Sequence, residues 1–159
     1  MEELTAFDIK ILDQLQRDAS LSTTELAEKV GLSQSPCWRR LQRLKEEGYI
    51  KRQVALLVRR KFGDSVVLFA TLKMETLTEM QREDFLRKVD LAPEIQECYS
   101  IFGDRDVMIK VVAKSLDWYQ KFVFETILKL PGVKDVVSIV TLAEMKYSTS
   151  VPIRGRLAL

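Results

Sequence analysis

The stretch Ser33-Gln-Ser-Pro-Cys-Trp-Arg-Arg-Leu-Gln-Arg-Leu-Lys-Glu-Glu-Gly48 decides how the chain reads. Its pattern is that of one helix. Ser33 is placed to cap it, because a serine hydroxyl can accept a hydrogen bond from a free first-turn N–H. Pro36 fits the first turn, where a missing N–H is no loss. Gly48 tolerates the left-handed conformation that ends helices. Leu41 and Leu44 lie three apart and can face a core. Ser33, Gln34, Ser35, Trp38, Arg39, Arg40, Gln42 and Arg43 take much of the remaining surface. Amides, hydroxyls and guanidiniums are the groups that read base edges and grip phosphates. Basic amphipathic helices are also common as plain solvated surface, so the flanking sequence has to decide.

Upstream, Thr5-Ala-Phe-Asp8 has the form of a capping box, followed by Phe7, Ile11 and Leu15 at helical spacing with Ile9 and Leu12 alongside. A helix over about 6–18 is expected. Ser22-Thr-Thr-Glu25 is a second capping box, and Leu26, Ala27 and Val30 form an apolar stripe that Gly31 stops. Gly31-Leu-Ser33 is as short as the turn of a helix-turn-helix. Downstream, Tyr49 to Leu57 is rich in β-formers and is expected to be a strand or wing, with Lys51 and Arg52 near a DNA backbone. Three helices and a wing make a winged helix-turn-helix over 1–53, with 54–64 as a linker strand.

The charge distribution agrees. The 159 residues carry a net charge of +2. Residues 1–30 hold three Lys or Arg against seven Asp or Glu, net −4, whereas 39–61 hold nine against two, net +7. That local excess suits phosphate. Histidine is absent, which removes the commonest general base and metal ligand. With no phosphate-cradling Gly-rich loop and no nucleophile constellation, no catalytic or metal residue is assigned and no cofactor is expected. The two cysteines, Cys37 and Cys98, form no CxxC pair, and a reducing cytoplasm is the default. Both suit packing better than chemistry. Trp38 suits either a groove contact or packing under the wing. No apolar run spans a bilayer, and the acidic start lacks the form of a signal peptide.

Beyond Gly63 the pattern changes. Val66–Met74 is a nearly continuous apolar run, expected as a strand. A helix over about 79–90 follows, capped by Thr78, with Met80, Phe85, Leu86 and Val89 inward. Strands are expected over Ile95–Phe102 and Val107–Ala113, separated by the turn Gly103-Asp-Arg-Asp106. A helix over about 116–130 carries Leu116, Tyr119, Phe122, Val123, Ile127 and Leu130, and a last strand runs from Val133 to Met145. The order β-α-β-β-α-β is the ferredoxin-like arrangement. Pro93-Glu-Ile-Gln-Glu-Cys-Tyr-Ser-Ile101 is echoed thirty-eight residues on by Pro131-Gly-Val-Lys-Asp-Val-Val-Ser-Ile139, as a βαβ pseudo-repeat would be. The fold class is α+β, with this domain over 65–146 and a tail over 147–159.

These residues resemble the Lrp/AsnC regulators, the feast/famine transcription factors of bacteria and archaea. The matching pieces are Asp8-Ile-Lys-Ile-Leu-Asp-Gln-Leu-Gln16, Leu26-Ala-Glu-Lys-Val-Gly-Leu-Ser33, Ser35-Pro-Cys-Trp-Arg-Arg-Leu-Gln-Arg-Leu44, Gly48-Tyr-Ile50, Gly103-Asp-Arg-Asp106, Leu130-Pro-Gly-Val133 and Glu144-Met-Lys-Tyr-Ser-Thr149. They span nearly the whole chain in the family's order. The resemblance implies a DNA-binding domain, a C-terminal regulator-of-amino-acid-metabolism (RAM) domain, dimers that assemble into octamers in many members, and an amino-acid effector held between dimers. Carried over by position, the effector site draws on Ser100, Gly103, Asp104, Asp106, Leu116, Ile139, Val140 and Thr141. Asp104 or Asp106 would hold the ammonium, turn N–H groups the carboxylate, and Leu116, Ile139 and Val140 the side chain. Arg105 and Thr141 depart from common family patterns towards polarity, so a polar, acidic or sulfur-containing amino acid is expected rather than leucine.

The reading is a sequence-specific regulator on double-stranded DNA, cytoplasmic and nucleoid-associated. Gln34, Ser35, Trp38 and Arg39 are the base-edge candidates, and Arg40, Arg43, Lys51 and Arg52 the phosphate candidates. Its rival is an amino-acid-sensing module docking on a metabolic enzyme; the basic stretch 39–61 argues against that, since protein docking needs no such excess.

Overall fold

A computed structural model describes residues 4–63 and 65–153. The chain divides into two compact units, one running to Leu56 and taking up the segment from Lys146, the other covering Leu57–Met145.

The first unit holds α1 (Ala6–Arg17), α2 (Thr23–Val30) and α3 (Gln34–Glu46). Both expected capping boxes are present, Thr5 with Asp8 and Ser22 with Glu25. Ile11, Leu12, Leu26, Ala27, Val30, Cys37, Leu41 and Leu44 form the core. Gly48 ends α3 in a left-handed conformation at φ 78°. Its N–H donates to the Lys45 carbonyl at 3.1 Å and the Tyr49 N–H to the Leu44 carbonyl at 3.0 Å, satisfying two carbonyls the helix leaves free.

The strand expected over Tyr49–Leu57, and the linker strand over 54–64, are not strands. Residues 50–58 have no regular structure, and a 3-10 turn follows at Arg59–Phe62. A strand exists only through a partner ladder, and none of the four strands of the second unit pairs with this segment. Val54, Leu56, Leu57 and Val58 therefore stay exposed.

The second unit holds β1 (Val66–Met74), α4 (Glu79–Asp90), β2 (Ile95–Ser100), β3 (Val107–Ala113), α5 (Leu116–Glu125), a 3-10 turn at Ile127–Lys129, and β4 (Val133–Val140). The sheet order is β2-β3-β1-β4, all antiparallel, as the ferredoxin-like arrangement requires. Leu68, Ala70, Leu72, Ile109, Val111 and Ala113 are fully buried on the face that α4 and α5 cover. Period-2 alternation puts Val67, Phe69, Thr71, Met108, Lys110 and Val112 on the opposite face. Gly132, at φ 75°, makes the turn into β4, where a Cβ would come within 2.2 Å of Leu77.

Several local expectations are corrected. Phe85 and Val89 point inward on α4, but Met80 and Leu86 are exposed. The apolar stripe of α4 is narrower than the residue types suggested. The helix expected over 116–130 breaks at Thr126 and continues as the 3-10 turn. β2 stops at Ser100. β4 stops at Val140, near the start of β1 where the ladder runs out; the Thr141 N–H and hydroxyl both donate to the Val67 carbonyl, at 3.1 and 2.8 Å.

Candidate functional site

On α3 the core residues Cys37, Leu41 and Leu44 define one side. At 100° per residue, Ser35, Arg39 and Gln42 fall on the opposite side, with Gln34, Trp38 and Lys45 along one flank. Ser33, Gln34, Ser35, Trp38, Arg39 and Lys45 are exposed, and Gln42 is half-buried. Trp38 keeps 51% of its surface, so of its two expected roles packing under a wing is not the one adopted. Ser33 is the N-cap, but its hydroxyl accepts no hydrogen bond from the first turn. The third helical position is Pro36, which has no N–H to donate. Lys51 and Arg52 are exposed on the irregular segment after Gly48.

Arg40 and Arg43 behave differently. Asp8 on α1 has no exposed surface. Its Oδ1 accepts from Arg40 at 3.1 Å and its Oδ2 from Arg43 at 2.7 Å. Oδ2 also takes the Thr5 amide at 2.9 Å and the Thr5 hydroxyl at 2.6 Å. Burial pushes the Asp8 carboxyl up, but the hydroxyl and amide of Thr5 and then the two guanidiniums outweigh it and hold it below its ordinary 3.8. Both arginines, expected as phosphate contacts, thus pin α3 to α1. The signal was legible in part. Asp8 lies on the same face of its helix as Ile11 and Leu12, and an acid on a core stripe demands cations.

In the second unit the turn 103–106 is fastened from within. The Asp106 Oδ2 accepts the Met74 N–H at 2.7 Å, and Lys73 Nζ lies 3.2 Å from both carboxylate oxygens. The Met74 amide first, and Lys73 after it, holds the Asp106 carboxyl below the usual range. Lys73 also donates to the Asp104 carbonyl at 3.1 Å. Arg105 pairs with Asp135 at 2.6 Å, and Arg105 depresses the Asp135 carboxyl. Asp106 is therefore occupied in holding the turn, while the Asp104 carboxylate is exposed. Lys73 and Asp135 fasten the turn through contacts that spacing in sequence did not reveal.

The expected effector residues do not meet in one protomer. Register places Ser100 opposite Val107 and Lys73 opposite Asp135 at one end of the sheet, with Gly103, Asp104 and Asp106. Leu68 opposite Val140 and Val66 opposite Ala113 mark the other end, where Ile139, Val140, Thr141 and the start of α5 at Leu116 lie. At about 3.3 Å per residue the two groups are roughly 20 Å apart. Two open hollows, of about 420 and 480 Å³, lie instead beside the C-terminal end of α4, lined by Leu91, Pro93 and Phe122 and by Leu86, Ile95 and Cys98 among others. Among the described residues no His, Cys, Asp or Glu cluster could hold a metal, and no helix is long and apolar enough to cross a membrane.

Comparison with known proteins defines the class. Residues 4–51 match the winged helix-turn-helix DNA-binding family, and residues 67–151 the Lrp/AsnC ligand-binding domain. The glutamate uptake regulatory protein of Zymomonas mobilis is 35% identical over 153 residues, 96% of this chain and 93% of that one. The leucine-responsive regulatory protein of Escherichia coli is 35% identical over 155 residues, 98% of this chain and 94% of its own. The crystal structure of a Neisseria meningitidis transcriptional regulator in complex with L-Met superposes with a TM-score of 0.89 at 34% identity, covering 94% of this chain and 96% of that one. The chain belongs to the Lrp/AsnC family of transcriptional regulators. It is a regulator built from a helix-turn-helix DNA-binding domain and a ligand-binding domain.

Proposed function

We propose that this regulator grips double-stranded DNA through α3, two protomers placing their helices in successive major grooves about one turn apart, and that an amino acid tunes the grip. The observation that carries the reading is the exposed face of α3. Gln34, Ser35, Trp38, Arg39 and Gln42 take the surface that the buried Cys37, Leu41 and Leu44 leave. Gln34, Ser35, Trp38 and Arg39 address base edges, and Lys51 and Arg52 address phosphates, joined by Lys45. Arg40 and Arg43 position the helix. This role places the chain in the cytoplasm with the nucleoid.

Self-association supplies the second protomer. The sheet face away from α4 and α5 is uncovered in the protomer. One row across it reads Val137, Thr71, Met108, Tyr99 and the next Ile139, Phe69, Lys110. Val137, Ile139 and Tyr99 keep 44, 56 and 50% of their surface. An apolar patch of this kind marks an interface, and a second copy covers it in a dimer that can build towards an octamer. Assembly also resolves the divided effector residues, because the turn at 103–106 of one copy can meet Leu116 and Ile139–Thr141 of another. Asp104 holds the ammonium there. The L-Met complex of the Neisseria relative and the name of the Zymomonas one favour a sulfur-containing or acidic amino acid.

Fluorescence-anisotropy titration of DNA from upstream of its own gene, against scrambled DNA across a salt series, tests the DNA arm. A high specificity ratio with a steep salt slope is expected. Absence of binding at low salt, with or without amino acids, returns the choice to an enzyme-docking sensor.

A further inference from the structure

Gln16 on α1 is bonded to a residue 135 positions downstream. Its side-chain carboxamide meets both polar groups of the Val151 main chain. The Val151 N–H donates to Oε1 at 2.5 Å, and Nε2 donates to the Val151 carbonyl at 3.1 Å. A strand residue offers its neighbour the same pair of bonds in an antiparallel sheet, and an amide side chain has the donor and acceptor to reproduce it. Two residues on, Ile153 packs against the apolar core of the helix-turn-helix, as Leu4 and Leu15 do. The Val151 side chain keeps 67% of its surface. The backbone of the segment is held, not that side chain. Residues 146–153 belong to the helix-turn-helix unit and not to the sheet unit that precedes them.

We infer that residues 147–153 are a strap on the DNA-binding unit, with Gln16 as its buckle, and that the strap regulates the site proposed above, on whose DNA-binding role this functional consequence rests. The physical need is clear. A unit of this size has little interior, and among the described residues its apolar core holds eight buried side chains. Ile153 adds cover from outside the local sequence. α1 is also the element to which Asp8 binds Arg40 and Arg43 of α3. A constraint on α1 is therefore a constraint on the helix that meets DNA. The chain leaves the helix-turn-helix unit after Leu56 and rejoins it at Lys146. Thr141, an effector candidate, lies five residues (142–146) before the strap. A change at the end of β4 has a short covalent path to α1.

Hydrogen exchange on the full chain tests this with three variants. Gln16→Ala removes both bonds, Val151→Pro removes the donor, and Val151→Ala keeps the backbone pair. In the first two, the slowest α1 amides should exchange about five- to tenfold faster while sheet amides over 66–140 keep native rates. Val151→Ala should leave α1 as in the native chain. Native α1 rates in Gln16→Ala and Val151→Pro overturn the proposal, as does acceleration spread equally over the sheet unit. Gln16→Ala should also weaken binding of a random-sequence duplex about threefold, and unchanged affinity removes the regulatory role. If the native chain itself binds no duplex, the DNA-binding reading fails, while the exchange data still judge the strap.

Discussion

Arg43 on α3 donates to Asp8 on α1 at 2.7 Å, and the carboxylate it meets has no solvent-exposed surface. Arg40 takes the other carboxylate oxygen at 3.1 Å. Two cations of the basic stretch are thereby paired with an acid of α1. A buried acid stripped of such partners carries a large desolvation cost, so the two pairings tie the helices together.

Asp8→Ala should destabilise the helix-turn-helix unit by about 2–3 kcal/mol. The cap bond to Thr5 accounts for about 1 kcal/mol, and the α1–α3 tie for the rest, less than a fully buried pair because the arginines are part-exposed. Arg43→Ala should lower Tm yet leave the salt slope of DNA binding unchanged within about half a unit. A slope that flattens by a full unit would return Arg43 to the phosphate contacts. Chemical unfolding and the anisotropy salt series read the two effects separately.

The same carboxylate predicts acid sensitivity. The fold holds Asp8 below its ordinary 3.8. Its ionised form therefore stabilises the native state. That contribution is complete above the unfolded value and is lost as pH falls from there through the lower folded value. The Tm difference between the native chain and Asp8→Asn should be constant near neutrality and shrink below about pH 4. A difference that persists undiminished into acid would show that charge is not what Asp8 contributes.

Arg39→Ala should relax preference at particular base pairs, at a cost of about 1–3 kcal/mol on the preferred site and little on others. Lys45→Ala should weaken all duplexes alike and reduce the salt slope by about 0.9. Binding-site selection with each variant checks the assignment; uniform weakening by Arg39→Ala exchanges the two roles.

Asp104 and Asp106 should separate in function. Asp106 holds the Met74 amide and Lys73, so Asp106→Ala should lower Tm. Asp104→Ala should leave Tm unchanged and abolish the heat of binding in calorimetric titration with the twenty amino acids. A native isotherm in Asp104→Ala removes it from the effector site. A response confined to branched-chain amino acids sinks the expectation of a polar, acidic or sulfur-containing effector.

Val137→Lys places a charge on the open sheet face, where Val137 is 44% exposed in the protomer and the fold can tolerate it. Sedimentation at micromolar concentration should then show monomers in place of the dimers or larger species of the native chain. Native assemblies in the variant would move the interface elsewhere.

Periodicity and end signals were legible in particular residues. Thr5 with Asp8, Ser22 with Glu25, and Thr78 each begin the helix that the sequence marked, because capping is settled within four residues. β1 and β3 match their expected bounds, since strands at the centre of a sheet are continuous apolar runs. Tyr49–Leu57 misled because β-forming residues do not make a strand without a partner. Met80 and Leu86 misled because apolar type does not say which side of a helix is covered. The exposed polar and basic surface of α3 at Gln34, Ser35, Trp38 and Arg39 was visible in the spacing. The commitment of Arg40 and Arg43 was not, since Asp8 lies more than thirty residues away.

The amino-acid sequence by itself determined the order of elements, the two-part α+β architecture and the family, because those follow from local caps, hydrophobic period and matching motifs. Tertiary structure alone decided which charges are free. It consumed Arg40 and Arg43 on Asp8, set Asp106 on Met74 and Lys73 while leaving the Asp104 carboxylate exposed, divided the effector candidates between two ends of the sheet, and brought Val151 back to Gln16. Each outcome depends on groups brought together across many residues, and local sequence carries no record of such distances.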